Sequence, residues 1–319
     1  MEEGLLRSLE EQPSSSADVP GYNKCMHQVM RYEEPLFRPP CEANSLIVQV
    51  TLGCPHNRCT FCGMYKMKKY RVRDPEEVKA DLRRARLFYR HVGSVFLADG
   101  NTVAMNSDKL ADIIRYIRRL FPEVERISSY GGGRFLKGKS VQALRKLREA
   151  GLDIIYFGLE SGDDEILAAV HKGVTSREMI EAARRVREAG IELSVYILLG
   201  LGGEDRWRQH AENTARVLNA MQPQYIRPRT LYLLPGTPLY KEAQEGRFRE
   251  ASGETVMREL QVLLNRLEVE DAWFLSDHVS NYVPIYGHLP EDREKMLAAV
   301  DMALEKADVY LAPRHLTSL

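Results

Sequence analysis

TLGCPHNRCTFCGMY, residues 51–65, places Cys54, Cys59 and Cys62 in one short loop directly behind the apolar run LIVQV, Leu46 to Val50. Four residues separate the first two thiols and two separate the last pair. A Cys-x-x-Cys turn points both sulfurs to one side, as a metal centre requires. Three thiolates this close suit three irons of a cubane cluster or three of the four positions on zinc. A closed zinc site needs a fourth ligand, and His56 inside the loop could provide it. A cluster held by three cysteines instead keeps one iron open for a ligand or substrate.

Outward from this loop, composition narrows the class. The chain has 319 residues, enough for a large core. Lys plus Arg and Asp plus Glu are equal at 45 each, so no global field draws it to nucleic acid or anionic lipid. The run LSVYILLGLGG is too short to span a bilayer. The acidic, polar start MEEGLLRSLEEQPSSS is unlike a secretory signal. Five cysteines, three of them in one loop, read as metal binding in a reducing cytoplasm. Residues 1–20 read as a flexible tail and 21–40 as an irregular segment. Cys25 and Cys41 lie apart from the loop and read as inert thiols or extra ligands.

After the cysteines, strands and helices alternate. Helices are expected from Pro75 to Tyr89, Ser107 to Leu120, Ser140 to Ala150, Ser176 to Ala189 and about Arg206 to Met221. Between them lie the strands SVFLADG, RISSYGGG, DIIYFGLESG, ELSVYILLGLGG and QYIRPRTLYLLPGTP. With LIVQV these make six strands, and the alternation argues for a parallel sheet. Gly151 and Gly190 close helices in the matching phrases LREAGLDI and VREAGIEL, two copies of one turn. Residues 241–319 read as a mainly helical extension or lid, with helices at Glu254 to Leu267 and Glu291 to Lys306 interrupted by DHVSNYVPIYGHLP.

An apolar strand entering a loop of three clustered cysteines, with Phe61 before the last, resembles the radical S-adenosylmethionine (radical SAM) superfamily. The usual motif there has three residues between the first two cysteines, against four here. The likeness runs from about Ser45 to Tyr240 and is nearest to the branch of oxygen-independent coproporphyrinogen III oxidase, haem chaperones and tRNA methylthiotransferases. It implies an α/β fold, an open parallel barrel of six strand–helix units over residues 21–240. It also implies one [4Fe-4S] cluster on Cys54, Cys59 and Cys62, whose free iron takes the amino and carboxylate groups of SAM. An electron from the reduced cluster then breaks the sulfur–carbon bond and gives a 5′-deoxyadenosyl radical that abstracts hydrogen. A flavodoxin- or ferredoxin-type donor is implied as well.

In parallel barrels the loops after the strands open on one face, so polar residues at strand ends are the candidates. Phe61 would shield the cluster. Asp99 or Asn101 would hold the SAM amino group, although Asp-Gly-Asn also suits a simple turn. Glu160 and Ser161 would meet the ribose, although Ser161 or Asp163 also suits the start of a helix. Gly200, Gly202 and Gly203 would let adenine approach backbone. Pro235-Gly236-Thr237-Pro238 resembles a turn of the same branch and equally reads as a helix start. Arg227 and Arg229 share one strand face and could bind the SAM carboxylate or an anionic substrate, or lie at the strand's exposed start. Arg134 has similar status. His278, Asn281 and Tyr282 could line the substrate pocket or only tie up their own loop.

These readings converge on a cytoplasmic radical SAM enzyme acting on a small molecule, its oligomeric state open with a monomer favoured. No second group of three cysteines, basic nucleic-acid module or cobalamin-sized domain is present in the sequence. That lowers the case for sulfur insertion, tRNA modification and cobalamin-dependent methylation. The rivals are a cluster-containing haem or cofactor carrier and a zinc-stabilised interaction protein.

Overall fold

A computed structural model describes residues 30–311. Its frame is one eight-stranded sheet in the order β1-β4-β5-β6-β7-β8-β9-β10. The strands are β1 Leu46–Gln49, β4 Ser94–Ala98, β5 Arg126–Gly131, β6 Ile154–Glu160, β7 Glu192–Leu199, β8 Tyr225–Thr230, β9 Ala272–Ser276 and β10 Ile285–Leu289. All neighbours are parallel except β10, which runs antiparallel to β9. The sheet curls without closing, as expected of the six-unit open barrel. A separate two-rung hairpin, β2 Thr51–Leu52 with β3 Arg71–Val72, pairs Thr51 with Val72 and Leu52 with Arg71.

Helices α1 Pro75–Phe88, α2 Ser107–Leu120, α4 Val141–Ala150, α6 Ser176–Glu188 and α7 Gly203–Met221 connect the parallel strands. Their ends follow local chemistry. Asp74, Asn106 and Ser140 cap α1, α2 and α4 through their side chains. Thr175 and Glu178 form a reciprocal capping box on α6. Gly151 closes α4 at φ +114°, a left-handed position that costs a glycine little. α7 begins three residues earlier than Arg206, because Gly202 and Gly203 turn directly into it. Short helices α3 Gly133–Leu136, α5 Asp164–Ala169 and α8 Pro238–Gln244 sit in strand–helix loops. Each is too brief for hydrophobic periodicity to reveal.

Strand alternation divides the side chains. Val48, Val95, Leu97, Ile127, Ile155, Leu193 and Val195 face outward into the main core beneath the helices. Ile47, Phe96, Ala98, Tyr156 and Tyr196 form a second cluster on the other face, with Tyr130 packed against it. This second face is the inside of the curled sheet.

At the end where the strands begin, the inside is floored by Glu42, a fully buried carboxylate on the turn Pro40–Glu42. It accepts from Ser45, from Ser128 at 2.8 Å, from Tyr156, and from Arg126 at 3.2 Å. Cys41 is exposed beside it, its sulfur 3.2 Å from the Tyr156 hydroxyl. It therefore lies at the opposite end of the sheet from the cysteine loop. Cys25 falls outside the described residues.

The C-terminal part continues the sheet. Two strands were not anticipated there, AWFLS (β9) and IYGHL (β10), each alternating buried and exposed positions. IYGHL lies within the stretch read as irregular. Five-residue strands flanked by polar loops leave only a faint period-two signal. Helices α9 Gly253–Arg266, α10 Arg293–Glu305 and α11 Ala307–Tyr310 accompany them, with α9 packed on α7. No helix of the described residues is long and apolar enough to cross a membrane.

Candidate active site

The three cysteines hang from the β2–β3 neck at the end of the barrel where the parallel strands finish. Gly53, at φ +65°, turns the chain out of β2. Asn57, between Cys54 and Cys59, sits at φ +47°, a left-handed position that Asn tolerates. Its side-chain amide donates to Tyr65 O at 2.7 Å, and Lys66 returns a bond to Asn57 O at 2.7 Å. The Cys62 amide donates to Cys59 O at 3.4 Å, closing the Cys-x-x-Cys turn. Thr60 docks the loop on both sides. Its amide donates to Val170 O and its carbonyl accepts from Leu239 N, both at 3.0 Å.

The thiols are free, and no group of three His, Cys, Asp or Glu side chains among the described residues is already set at metal-ligand spacing. The donor set nevertheless suits a cluster. Cys54, Cys59 and Cys62 feel one another electrostatically, and Lys172 acts on the latter two. Burial drives the Cys59 thiol up to about 11 and raises that of Cys62. A metal must displace those protons, and the Lys172 ammonium nearby favours thiolate. His56 Nε2 lies 2.6 Å from His171 O, so that nitrogen is engaged away from the sulfurs.

Asp99 ends β4 next to the loop. Its Oδ2 accepts from Gly53 N at 3.0 Å, Gln49 Nε2 at 3.1 Å and Lys68 Nζ at 3.0 Å. Its Oδ1 is buried without any hydrogen-bond partner. Burial outweighs these donors, and the carboxyl pKa sits above its ordinary value. Both ends of the Lys68–Asp99 pair are almost fully enclosed. An unsatisfied carboxylate oxygen in such a place fits the incoming ammonium of an amino acid. Gly100 lets Tyr65 and Cys54 pack close to the end of β4. A Cβ there would sit 2.7 Å from the Tyr65 ring and 3.3 Å from Cys54 Cβ. Asn101, by contrast, is occupied by the next turn, its Oδ1 accepting from Gly132 N at 3.2 Å.

Glu160 ends β6 at φ +64°, where the β6–β7 register is bulged. A non-glycine residue there is held against its preference, a pattern that gathers at functional sites. Its Oε1 accepts from Lys172 Nζ at 3.0 Å, and Lys172 lies 6.0 Å from the centre of the Phe61 ring. Phe61 thus links the cysteine loop to the end of β6. Burial works to lower the Lys172 pKa, but Glu160 and the two thiols outweigh it and raise it. Ser161 is turned to structure, its hydroxyl accepting from Asp163 N at 3.0 Å, while Asp163 caps α5.

A buried chain joins Glu160 to the glycines after β7. His210 Nε2 is 3.4 Å from Glu160 O, and His210 Nδ1 is 2.7 Å from Glu259 Oε1. Glu259 Oε2 in turn accepts from Gly200 N at 3.0 Å. Gly202 packs against α7, where a Cβ would meet Arg206 O at 2.9 Å and His210 Cβ at 3.1 Å.

Arg227 and Arg229 lie mid-strand on the inside of the sheet, not at an exposed start. Arg227 Nε donates to Ser194 Oγ at 3.1 Å, and the Arg229 guanidinium sits 4.4 Å from the centre of the Tyr196 ring. The remaining candidates are mainly structural. Arg134, in α3, donates to Gly173 O at 2.8 Å. Thr237 caps α8, the helix-start reading of Pro-Gly-Thr-Pro. Asn281 donates to Pro228 O and Ser276 Oγ, both at 2.9 Å, and stitches its loop to β8. Tyr282 packs against the main core. His278 faces Arg229 electrostatically, and burial with that cation lowers its pKa to about 4.

Residues 48–218, more than half of the chain, match the Radical SAM superfamily. The chain belongs to that superfamily. Its cofactors are a [4Fe-4S] cluster and SAM. Among curated proteins, this radical SAM chain is 23% identical to the Heme chaperone HemW of Bacillus subtilis over 177 residues, 55% of this chain and 46% of the relative. It is 28% identical to the anaerobic magnesium-protoporphyrin IX monomethyl ester cyclase of Cereibacter sphaeroides over 208 residues, 65% of this chain and 33% of the relative. It thus spans less than half the length of these relatives. The structure of coproporphyrinogen III oxidase from Escherichia coli superposes with TM-score 0.55 at 19% identity, covering 82% of this chain and 61% of that one. That of methylornithine synthase superposes with TM-score 0.50 at 17% identity, covering 92% and 96%. Both likenesses show the shared fold.

Proposed function

We propose that this chain is a radical SAM enzyme that cleaves SAM reductively at a single [4Fe-4S] cluster and acts on a small molecule. The observation that carries this is the spare, buried Oδ1 of Asp99 beside the loop that holds the free thiols of Cys54, Cys59 and Cys62. Cys54, Cys59 and Cys62 would hold the cluster. Once bound there, cluster and SAM would supply the radical chemistry for hydrogen abstraction from the substrate.

The chain's own residues bind, orient and shield. Asp99 would take the SAM ammonium while Lys68, Gly53 and Gln49 keep its other oxygen fixed. Glu160, oriented by Lys172, would accept from the ribose hydroxyls. Gly200, its amide fixed by Glu259, would offer backbone to adenine. Phe61 would exclude water from the cluster side. A flavodoxin- or ferredoxin-type protein would deliver the electron.

The likeness to a haem chaperone favours a second reading, a cluster-containing carrier of haem or another cofactor. One assay separates the two. Anaerobically reconstituted protein, given SAM and a strong reductant, is expected to release 5′-deoxyadenosine, and a variant with all three cysteines replaced by alanine is expected to release none. Equal, background-level nucleoside from both would favour the carrier. A colourless, zinc-loaded protein on anaerobic purification would contradict both.

A further inference from the structure

We propose that the interior of the open barrel is a binding site for an anionic small molecule, whose carboxylate or phosphate is held by Arg227 and Arg229. The inference rests on the reading above in taking that molecule to be the substrate.

Register fixes where the two side chains go. Tyr196 pairs with Arg227 and Leu198 with Arg229 across β7–β8, and both arginines share the face of Tyr156 and Tyr196. Residues two apart on a strand are separated by roughly 7 Å and point the same way. Two planar forks at that spacing suit an oxyanion, or two oxyanions on one molecule.

Their own partners are neutral. Lys68, Arg73 and Lys172 have carboxylate partners, Asp99 at 3.0 Å, Asp81 at 2.6 Å and Glu160 at 3.0 Å, whereas the half-buried Lys139 donates to Met105 O and Ser107 Oγ. Among the described residues, neither Arg227 nor Arg229 has a carboxylate within ion-pair distance. Arg227 has the neutral Ser194 hydroxyl, and Arg229 has the Tyr196 ring. Nearby acids are otherwise placed. Glu42 is engaged by Arg126, Ser128 and Tyr156 at the floor. Asp277 is exposed and acts on Arg227 only at longer range. His278 adds no negative charge. Two half-buried guanidiniums on one inner face with neutral partners are free to donate charge-assisted hydrogen bonds to a bound anion.

The walls describe the rest of the ligand. Phe96, Tyr130 and Tyr156 pack in T-shaped and tilted contacts on the same inner face, with ring centres 5.0 to 6.3 Å apart. Ile47 and Ile154 complete an apolar lining. The site therefore fits a molecule with an apolar or planar body and an anionic end.

The test is calorimetric titration of anaerobically reconstituted holoprotein, saturated with SAM, with glutarate, pyrophosphate and the neutral diamide glutaramide at matched ionic strength. At least one anion is expected to bind and glutaramide not to bind. The better anion distinguishes carboxylate from phosphate recognition. Arg227→Gln and Arg229→Gln should each weaken binding at least tenfold. Arg229→Lys, which keeps the charge and covers a glutamine variant that fails to fold, should weaken it less. The proposal is overturned if neither anion binds, if glutaramide binds equally well, or if the variants bind like the parent. It is also overturned if SAM and the anion displace one another, since the pair would then serve the SAM carboxylate. SAM cleavage without anion binding would sink only this inference, and anion binding without SAM cleavage would sink only the catalytic reading.

Discussion

Asp99 shows how much one side chain is asked to do. One oxygen collects Gly53, Gln49 and Lys68 and so ties the start of the cysteine loop to the end of β4. The other is buried without a hydrogen-bond partner. Lys68 is held further by the carbonyls of Glu33 and Pro35, the latter at 2.7 Å. Replacing Asp99 by Asn would strand that ammonium among carbonyls alone. Removing one partner of a buried pair costs about 3 kcal/mol or more. Asp99→Asn is therefore expected to lower unfolding stability by roughly that amount in denaturant melts and to weaken SAM binding in titrations. A melt matching the parent would show that the pair is not a brace. Asp99 was legible in the sequence because it is the polar residue that ends an apolar strand. Lys68 and Lys172 were not. Lys68 sits in the basic run MYKMKKY, which looks like a solvated face, and its burial is decided only when residues 30–37 pack over it. Lys172 lies in a loop, and its partnership with Glu160 depends on the bulge in β6.

Among the elements, the pair α7 and α9 has the largest hidden role. His210 on α7 and Glu259 on α9 are both about 1% exposed, and together they bridge Glu160 O to Gly200 N. No local pattern announces this. His and Glu lie 49 residues apart on separate helices, and only the packing of α9 on α7 brings them together. Burial works to lower the His210 pKa, but Glu259 outweighs it and the net shift is upward. A raised pKa in the folded state gives stability that is present in full below the ordinary value of 6.5 and is lost as pH rises through the folded value. His210→Gln should therefore cost more stability at pH about 6 than at pH about 9, measured as the difference in urea midpoint from the parent. It should also weaken SAM binding at both, because Glu160 and Gly200 lose their common brace. A cost independent of pH would mean that the imidazole is neutral and acts by shape alone. The long helices themselves were legible, since capping residues and glycines mark their ends. The brace between them was not.

For the whole molecule, the alternation of strand and helix made the parallel sheet legible, and the open barrel came from the resemblance carried by the cysteine loop. The extension of the sheet by β9 and β10 escaped notice, because short strands with one solvated face carry little signal. The main core is built from strand and helix residues such as Val48, Ile127, Leu147, Val195 and Leu260, with none from the cysteine loop. Residues 53–70 are an excursion from a two-rung neck, and β3 is exposed at both its positions. Removing the cluster with a chelator should therefore bleach the protein and abolish SAM cleavage while leaving far-ultraviolet circular dichroism and a single cooperative melt in place. Collapse of secondary structure on chelation would show that the metal centre folds the chain, as it does in small zinc domains.

That separation bears on life in air. If an encounter with oxygen strips the iron, what remains is an intact scaffold with an empty hairpin, available for a fresh delivery of iron and sulfide once anaerobic conditions return. Damage would be local and repairable, and the cell would need to rebuild a cofactor, not a protein.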